Sequence, residues 1–217
     1  KPNSLQSQLD AQKASWAKKA SAERKQVYQE GIQAVINSGI YDQAKNLGDQ
    51  APNFTLQNAN NQNVSLSDYL AKGPVVLTWY RGGWCPYCNL TLRQLQQELP
   101  AFKAAGAHLL ALTPELPDKS LSTAEKHNLE FEVLSDIGNK VARDYGIVFK
   151  LIPEVAEIYQ NGFDMIGTNG DDSYELPLAV TYVIQPDGTI SYAFLDAEYR
   201  NRAEPAEILA ALKKATK

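Results

Sequence analysis

The stretch VVLTWYRGGWCPYCNLTLRQLQ, residues 75–96, contains both cysteines of the chain, three positions apart, at a junction between two sequence patterns. Its first part, Val75–Tyr80, is a continuous apolar run of strand length, as a strand buried on both faces requires. From Pro86 to Ala105 the apolar residues Leu90, Leu92, Leu95, Leu99 and Phe102 recur at helical spacing. Pro86 suits the first helical position, where its missing N–H costs nothing. Cys85 therefore sits at the start of a helix, and Cys88 one turn later on the same face. A thiol attacks only as thiolate, and a free cysteine with pKa ~8.5 is mostly protonated at neutral pH. A helix start contributes ~0.3–1 kcal/mol to an anion, less than one pKa unit, so direct N–H···S contacts must supply the rest. On this reading Cys85, at the exposed end, attacks a substrate sulfur or oxygen. Cys88, deeper, resolves the intermediate, and no metal or organic cofactor is required.

Two blander readings compete. The cysteines could be half of a zinc site completed by His108 and His127, but these lie nineteen positions apart where a zinc module wants H-x₃₋₅-H. They could also be inert core residues, although packing alone does not explain Pro86 and the aromatic flank.

Around this junction the chain alternates. Upstream, NLGDQAPNFTL (46–56) carries turn residues and then a short strand at Phe54 and Leu56; Ser67-Asp68 can cap a short helix ending at Leu70. Downstream, a strand at 107–113, a helix at 120–128, a strand at 131–136 and a glycine-ended helix at 139–146 are expected. Residues 147–178 read as irregular apart from a helix at 153–160, with 167–173 a polar loop. A hairpin at 179–196 turning on PDG and a helix at 205–215 close the chain. The order predicts an α/β fold, a central mixed sheet with helices on both faces; βαβ followed by ββα is the thioredoxin-like arrangement.

Ahead of this domain, from Ser4 to about Ile40, Leu5, Leu9, Trp16, Val27, Ile32, Val35 and Ile36 mark two helices that break near Ser21. This N-terminal helical arm (1–46) would bury its apolar stripe on the redox domain (47–217) or on a second subunit, the latter giving a homodimer.

Composition sets outer limits. With 217 residues and 44% hydrophobic content the chain can build one sizeable α/β core. A net charge of −4 and a pI near 5.3 give no electrostatic footprint for nucleic acid or an anionic membrane. No apolar run approaches the ~20 residues that span a bilayer, so a soluble protein is expected. A first residue of Lys instead of Met points to a removed leader or tag, and cytoplasm and periplasm both stay open.

GDQAPNFTL, VVLTWYRGGWCPYCNLTLRQLQ, FEVLSDIGNKVARDYGI and TYVIQPDGTISYAF together resemble the peroxiredoxin-like branch of the alkyl hydroperoxide reductase / thiol-specific antioxidant superfamily, over about Leu47–Leu212. The resemblance implies a thioredoxin-like fold and thiol-dependent reduction of peroxides or disulfides. The family's P-x-x-x-T-x-x-C falls here on Arg81, Cys85 and Cys88, so a thioredoxin-type first cysteine replaces the threonine. Arg81 or Arg93 is the candidate cation beside the thiolate. Ala179 falls where thioredoxins place a cis-proline, with Pro177 two residues earlier; a trans bond is expected at Ala179. Trp84 is expected to wall the thiols and Tyr87 to shape the entrance, while Glu115 and Asp136 are either proton-transfer carboxylates or cap residues.

Two enzyme readings follow. In one, a hydroperoxide oxidises Cys85 or Cys88 and a thioredoxin- or glutathione-type donor restores the dithiol. In the other, the pair exchanges with protein or small-molecule disulfides without peroxidase activity. A third reading is a non-enzymatic redox sensor.

Overall fold

The computed structural model describes residues 4–215; Lys1–Asn3 of the expected arm and the last two residues of the expected redox domain lie outside them. The helical arm comprises α1 (Leu5–Lys19), α2 (Ala22–Asn37) and the short α3 (Ile40–Gln43). Its break falls at Ser21, whose hydroxyl accepts from the Arg24 N–H as an N-cap. Next come the two-stranded β1 (Thr55–Gln57) and β2 (Asn63–Ser65), then α4 (Leu66–Leu70), β3 (Val75–Trp79), α5 (Pro86–Ala104), β4 (His108–Thr113), α6 (Pro117–Lys126) and β5 (Glu132–Ser135). After a 3-10 turn follow α7 (Lys140–Asp144), β6 (Val148–Lys150), α8 (Pro153–Phe163), α9 (Met165–Asn169), β7 (Glu175–Pro177), β8 (Thr181–Ile184), β9 (Ile190–Phe194) and α10 (Pro205–Ala215).

The central sheet has the order β5-β4-β3-β8-β9, with β3, β4 and β5 parallel and β8 and β9 antiparallel to their neighbours. It is the expected mixed sheet. Because side chains alternate along each strand, Val76, Leu109, Ala111 and Val183 pack on one face against Leu92, Leu95 and Leu99 of α5, Ile208 and Leu212 of α10, and Leu5 and Leu9 of α1. Leu77, Trp79, Leu110, Leu112 and Tyr182 pack on the other with Ile40, Leu66, Val141 and Tyr145. A smaller cluster on α8, around Val155 and Tyr159, receives Val27 and Tyr28 of α2. The arm thus packs on this chain's own domain. Leu5 and Leu9 are fully buried, and each such leucine is worth ~1.5–3 kcal/mol.

Four local expectations are corrected. The helix expected from residue 120 starts at Pro117, which takes the first helical position after Leu116. The short helix near Ser67-Asp68 begins earlier, at Leu66; the Asn53 side chain, fourteen residues upstream, accepts from the Ser67 N–H. The polar loop expected at 167–173 is helical through Asn169, capped by the Asp164 carboxylate on the Gly167 N–H. Within the span read as irregular, β6 and β7 pair antiparallel, Val148 opposite Pro177; strands of three residues are too short to display alternation.

Candidate active site

β3 delivers the chain to Tyr80, and residues 81–85 turn it into α5. The two glycines of that turn are required by contact. A methyl group on Gly82 would lie 2.0 Å from Trp84 Nε1, and one on Gly83 would lie 2.5 Å from Thr123 Oγ1. Gly83 is fixed through both peptide groups: its N–H donates to Glu115 Oε1 at 3.1 Å, and its carbonyl accepts from Asn89 Nδ2 at 2.9 Å.

Cys85 is the N-cap of α5. Its sulfur does the work of a capping oxygen, accepting from the Cys88 N–H at 3.4 Å, with Pro86 opening the helix. The Arg81 side chain approaches from the other side, Nη1 to Cys85 Sγ at 3.7 Å. Cys88 Sγ accepts from the Arg81 backbone N–H at 3.4 Å and from Arg202 Nη2 at 3.4 Å. Arg202 also donates to Thr91 Oγ1 at 3.2 Å, one turn along α5. Two buried guanidiniums and two peptide N–H groups thus converge on two sulfurs.

Burial raises the Cys85 pKa, but the Cys88 thiol as hydrogen-bond partner, the charges of Arg81 and Arg202 and the Cys88 N–H together outweigh it and hold the thiol well below its ordinary value. Cys88 goes the opposite way: burial, its bond to Cys85 and the negative charge there push it well up. The pair therefore carries one negative charge, centred on Cys85.

Arg81 is itself held rigidly. Its Nη2 donates to Tyr159 Oη at 2.7 Å, and its guanidinium lies 4.3 Å from the Tyr199 ring centre, 5.0 Å from Trp84 and 5.5 Å from Tyr159. Its Nε is buried and has no acceptor among the described residues.

Cys85 is 1% exposed, which corrects the expectation of an exposed attacking thiol. It lines a cavity of about 350 Å³ together with Trp84, Tyr87, Tyr159, Phe163 and Tyr199 and with Trp16 and Tyr28 of the arm. Pro86 lines the same cavity. Cys88 is fully buried and is not part of the lining.

The other sequence candidates separate cleanly. Arg81 is at the sulfurs, whereas Arg93 is exposed on α5. Ala179 borders a neighbouring void of about 30 Å³, shared with Arg81 and Tyr199, and not the Cys85 cavity. No cis peptide occurs among the described residues, and Pro177 is engaged in β7. Asp136 is a cap, accepting from the Val141 and Ala142 N–H groups at the start of α7. His108 packs edge-on against Tyr69, and His127 Nε2 meets Asn89 Oδ1 at 3.3 Å. Arg202 went unrecognised in the sequence: RNRAEP has no periodic or motif signal, and its guanidinium reaches Cys88 across 114 positions of chain.

A dithiol at a strand-to-helix junction of this sheet defines a thioredoxin-like redox domain. Residues 47–193 match the AhpC/TSA family, and the chain belongs to that family. Among curated proteins it is 29% identical over 158 residues to a chloroplastic peroxiredoxin Q of Gentiana triflora, covering 73% of this chain and 60% of that one. It is 30% identical over 169 residues to the chloroplastic peroxiredoxin Q of Triticum aestivum, covering 78% and 65%. The match thus spans less than two thirds of these relatives' length. Among solved structures, peroxidoxin BcpB of Mycobacterium tuberculosis superposes with a TM-score of 0.62 at 20% identity, covering 78% of this chain and 97% of that one. A cysteine-to-serine mutant of PrxQ from Xylella fastidiosa gives 0.63 at 18%, covering 79% and 98%, and both likenesses establish the fold.

Proposed function

We propose that this protein is a thiol-dependent peroxidase in which Cys85 attacks a hydroperoxide and Cys88 resolves the product. The observation that carries the reading is Cys85 in the lining of a cavity, its sulfur met by the Cys88 N–H at 3.4 Å and Arg81 Nη1 at 3.7 Å, contacts that hold the thiol well below its ordinary pKa. The curated relatives named peroxiredoxin Q support it.

The steps use groups already in place. The Cys85 thiolate attacks the nearer peroxide oxygen; an S–O bond forms, the O–O bond breaks, and the leaving oxygen departs as an alcohol or water after taking a proton. The buried Nε of Arg81 and its guanidinium charge favour the developing oxyanion. Cys85 is then a neutral sulfenic acid, and the charge that had kept Cys88 protonated is gone. Arg202 and the Arg81 N–H now stabilise Cys88 as thiolate, which attacks the Cys85 sulfur, forms the disulfide and expels hydroxide as water. Two reducing equivalents from a thiol donor restore the pair.

Burial of Cys85 disfavours the alternative of exchange with protein disulfides, which need an accessible sulfur. Stopped-flow tryptophan fluorescence of the reduced protein with a hydroperoxide, and separately with an oxidised small disulfide, tests the reading. Fast oxidation by peroxide that persists in Cys88→Ser and disappears in Cys85→Ser is expected. Slow peroxide reaction beside fast disulfide exchange would reject it.

A further inference from the structure

We propose that the aromatic row beside Cys85 is an electron path to the surface: Trp84 quenches an alkoxyl radical, RO•, and the stacked pair Trp16 and Tyr28 is restored by a small anionic reductant of the ascorbate class. This one-electron activity is separate from the two-electron chemistry of the thiols.

Three ring contacts connect the cavity to the arm's surface. Trp84, next to Cys85 in the chain and in the cavity lining, lies 4.9 Å from Tyr159. Tyr159 lies 6.3 Å from Tyr28, and Tyr28 stacks on Trp16 at 5.3 Å and 11°. These centroid separations fall within the ~4.5–7 Å of packed aromatic pairs, so no step in the row exceeds ring contact. Tyr159 is buried, whereas Tyr28 and Trp16 are half-buried on the arm. Trp79 differs: its ring contacts are Tyr145 and Tyr182, and all three are buried in the other core.

The surroundings give the path a direction. An indole that loses an electron becomes a radical cation and settles by releasing its N–H proton. Trp84 Nε1 is buried with no acceptor among the described residues, and the Arg81 guanidinium lies 5.0 Å from its ring, so a positive charge there is opposed twice. Tyr159 is no resting place either, because its oxygen accepts from Arg81 Nη2 at 2.7 Å and the same cation lies 5.5 Å from its ring. Trp16 and Tyr28 border water, which takes the proton. Arg200 lies 5.9 Å from Trp16, but Glu198 pairs with it at 2.7 Å.

The steps balance. RO• takes one electron from Trp84 and one proton from solvent and leaves as ROH. Trp84 recovers its electron across Tyr159 from Tyr28 or Trp16, which gives its proton to water and becomes a neutral radical. The reductant then returns one electron and one proton. Trp16 borders a surface groove where Lys13, Lys25 and Arg200 face Asp10, a balance that favours an anionic reductant.

The test uses tert-butoxyl radicals released thermally from di-tert-butyl hyponitrite, acting on the reduced full chain with and without ascorbate. No hydroperoxide is added, so the outcome is independent of whether Cys85 reduces one. Oxidised Trp84, Trp16 and Tyr28 are quantified by mass spectrometry. The comparison is the double variant Trp16→Phe with Tyr28→Phe, which keeps both rings as packing and removes both oxidisable groups. In the parent, oxidation is expected on Trp16 and Tyr28 with Trp84 spared. In the double variant, Trp84 oxidation is expected to rise about tenfold or more, and ascorbate is expected to protect Trp84 less than in the parent. Equal Trp84 oxidation in the parent and in a double variant with the parent's circular dichroism overturns the proposal. So does ascorbate that protects Trp84 equally in both.

Discussion

Two buried acids flank the same five-residue turn and end in opposite charge states. Cys85, in front of it, is held as an anion; Glu115, behind it, is pushed up to about 7. Both are nearly sealed from solvent, at 1% and 2% exposure. The difference lies in what each one meets. Cys85 faces two buried guanidiniums and its partner thiol. Glu115 has mainly hydrogen bonds from the Gly83 N–H and the Thr113 hydroxyl, with Lys119 partly cancelled by Asp118. Burial sets the cost of a charge, and the partners decide whether the group keeps it.

The largest effect expected from this contrast is at the thiol. Cys85→Ser should slow oxidation by hydroperoxide at least about a thousandfold, since Cys88 does not border the cavity. Glu115→Gln, which preserves an acceptor for Gly83, should stay within about tenfold, and a comparable loss in both would erase the distinction. Next in size, Arg81→Met should raise the Cys85 pKa and cut the neutral-pH rate about a hundredfold, roughly 2.7 kcal/mol. Thiolate absorbance against pH reads the shift directly, and an unmoved titration would show that Arg81 is not the stabilising charge.

Arg202→Met is expected to act on the second step, slowing disulfide closure about tenfold more than the first oxidation. Sulfenic acid should then accumulate and be trapped by dimedone; no accumulation would remove Arg202 from the resolving step. The last effect is on stability and not on rate. Because the folded pKa of Glu115 lies above its unfolded value, its contribution is fully present below about pH 4.5 and is lost as pH rises through about 7. The loss amounts to about 3 kcal/mol. Denaturant unfolding at pH 4.5 and 8 should show this decline in the parent and a flatter profile in Glu115→Gln.

Much of the fold was legible because long elements carry their period. Val75–Tyr80 and the leucines of α5 placed the redox turn, and Pro86 with the cysteine spacing placed the thiols on it. The arm's break at Ser21 could be read from its capping hydroxyl. What stayed hidden was produced by tertiary contact. That Trp16 and Tyr28 line the cavity beside Cys85 does not show in their spacing, which says only that they belong to amphipathic helices. The sequence offers Arg81 and Arg93 alike as the cation, and only the packing of Tyr159 and Tyr199 around Arg81 separates them, while Arg202 acquires its role only when the segment before α10 returns to α5.

The central claim is that one negative charge resides on Cys85 and not on Cys88. Limited alkylation of the reduced, unmodified protein with iodoacetamide across pH, with each cysteine quantified by mass spectrometry, addresses it most directly. The structure predicts that label enters Cys85 first, at a rate that stays level well below pH 8.5. Label entering Cys88 first, or a Cys85 rate that rises through the ordinary thiol range, would contradict the account.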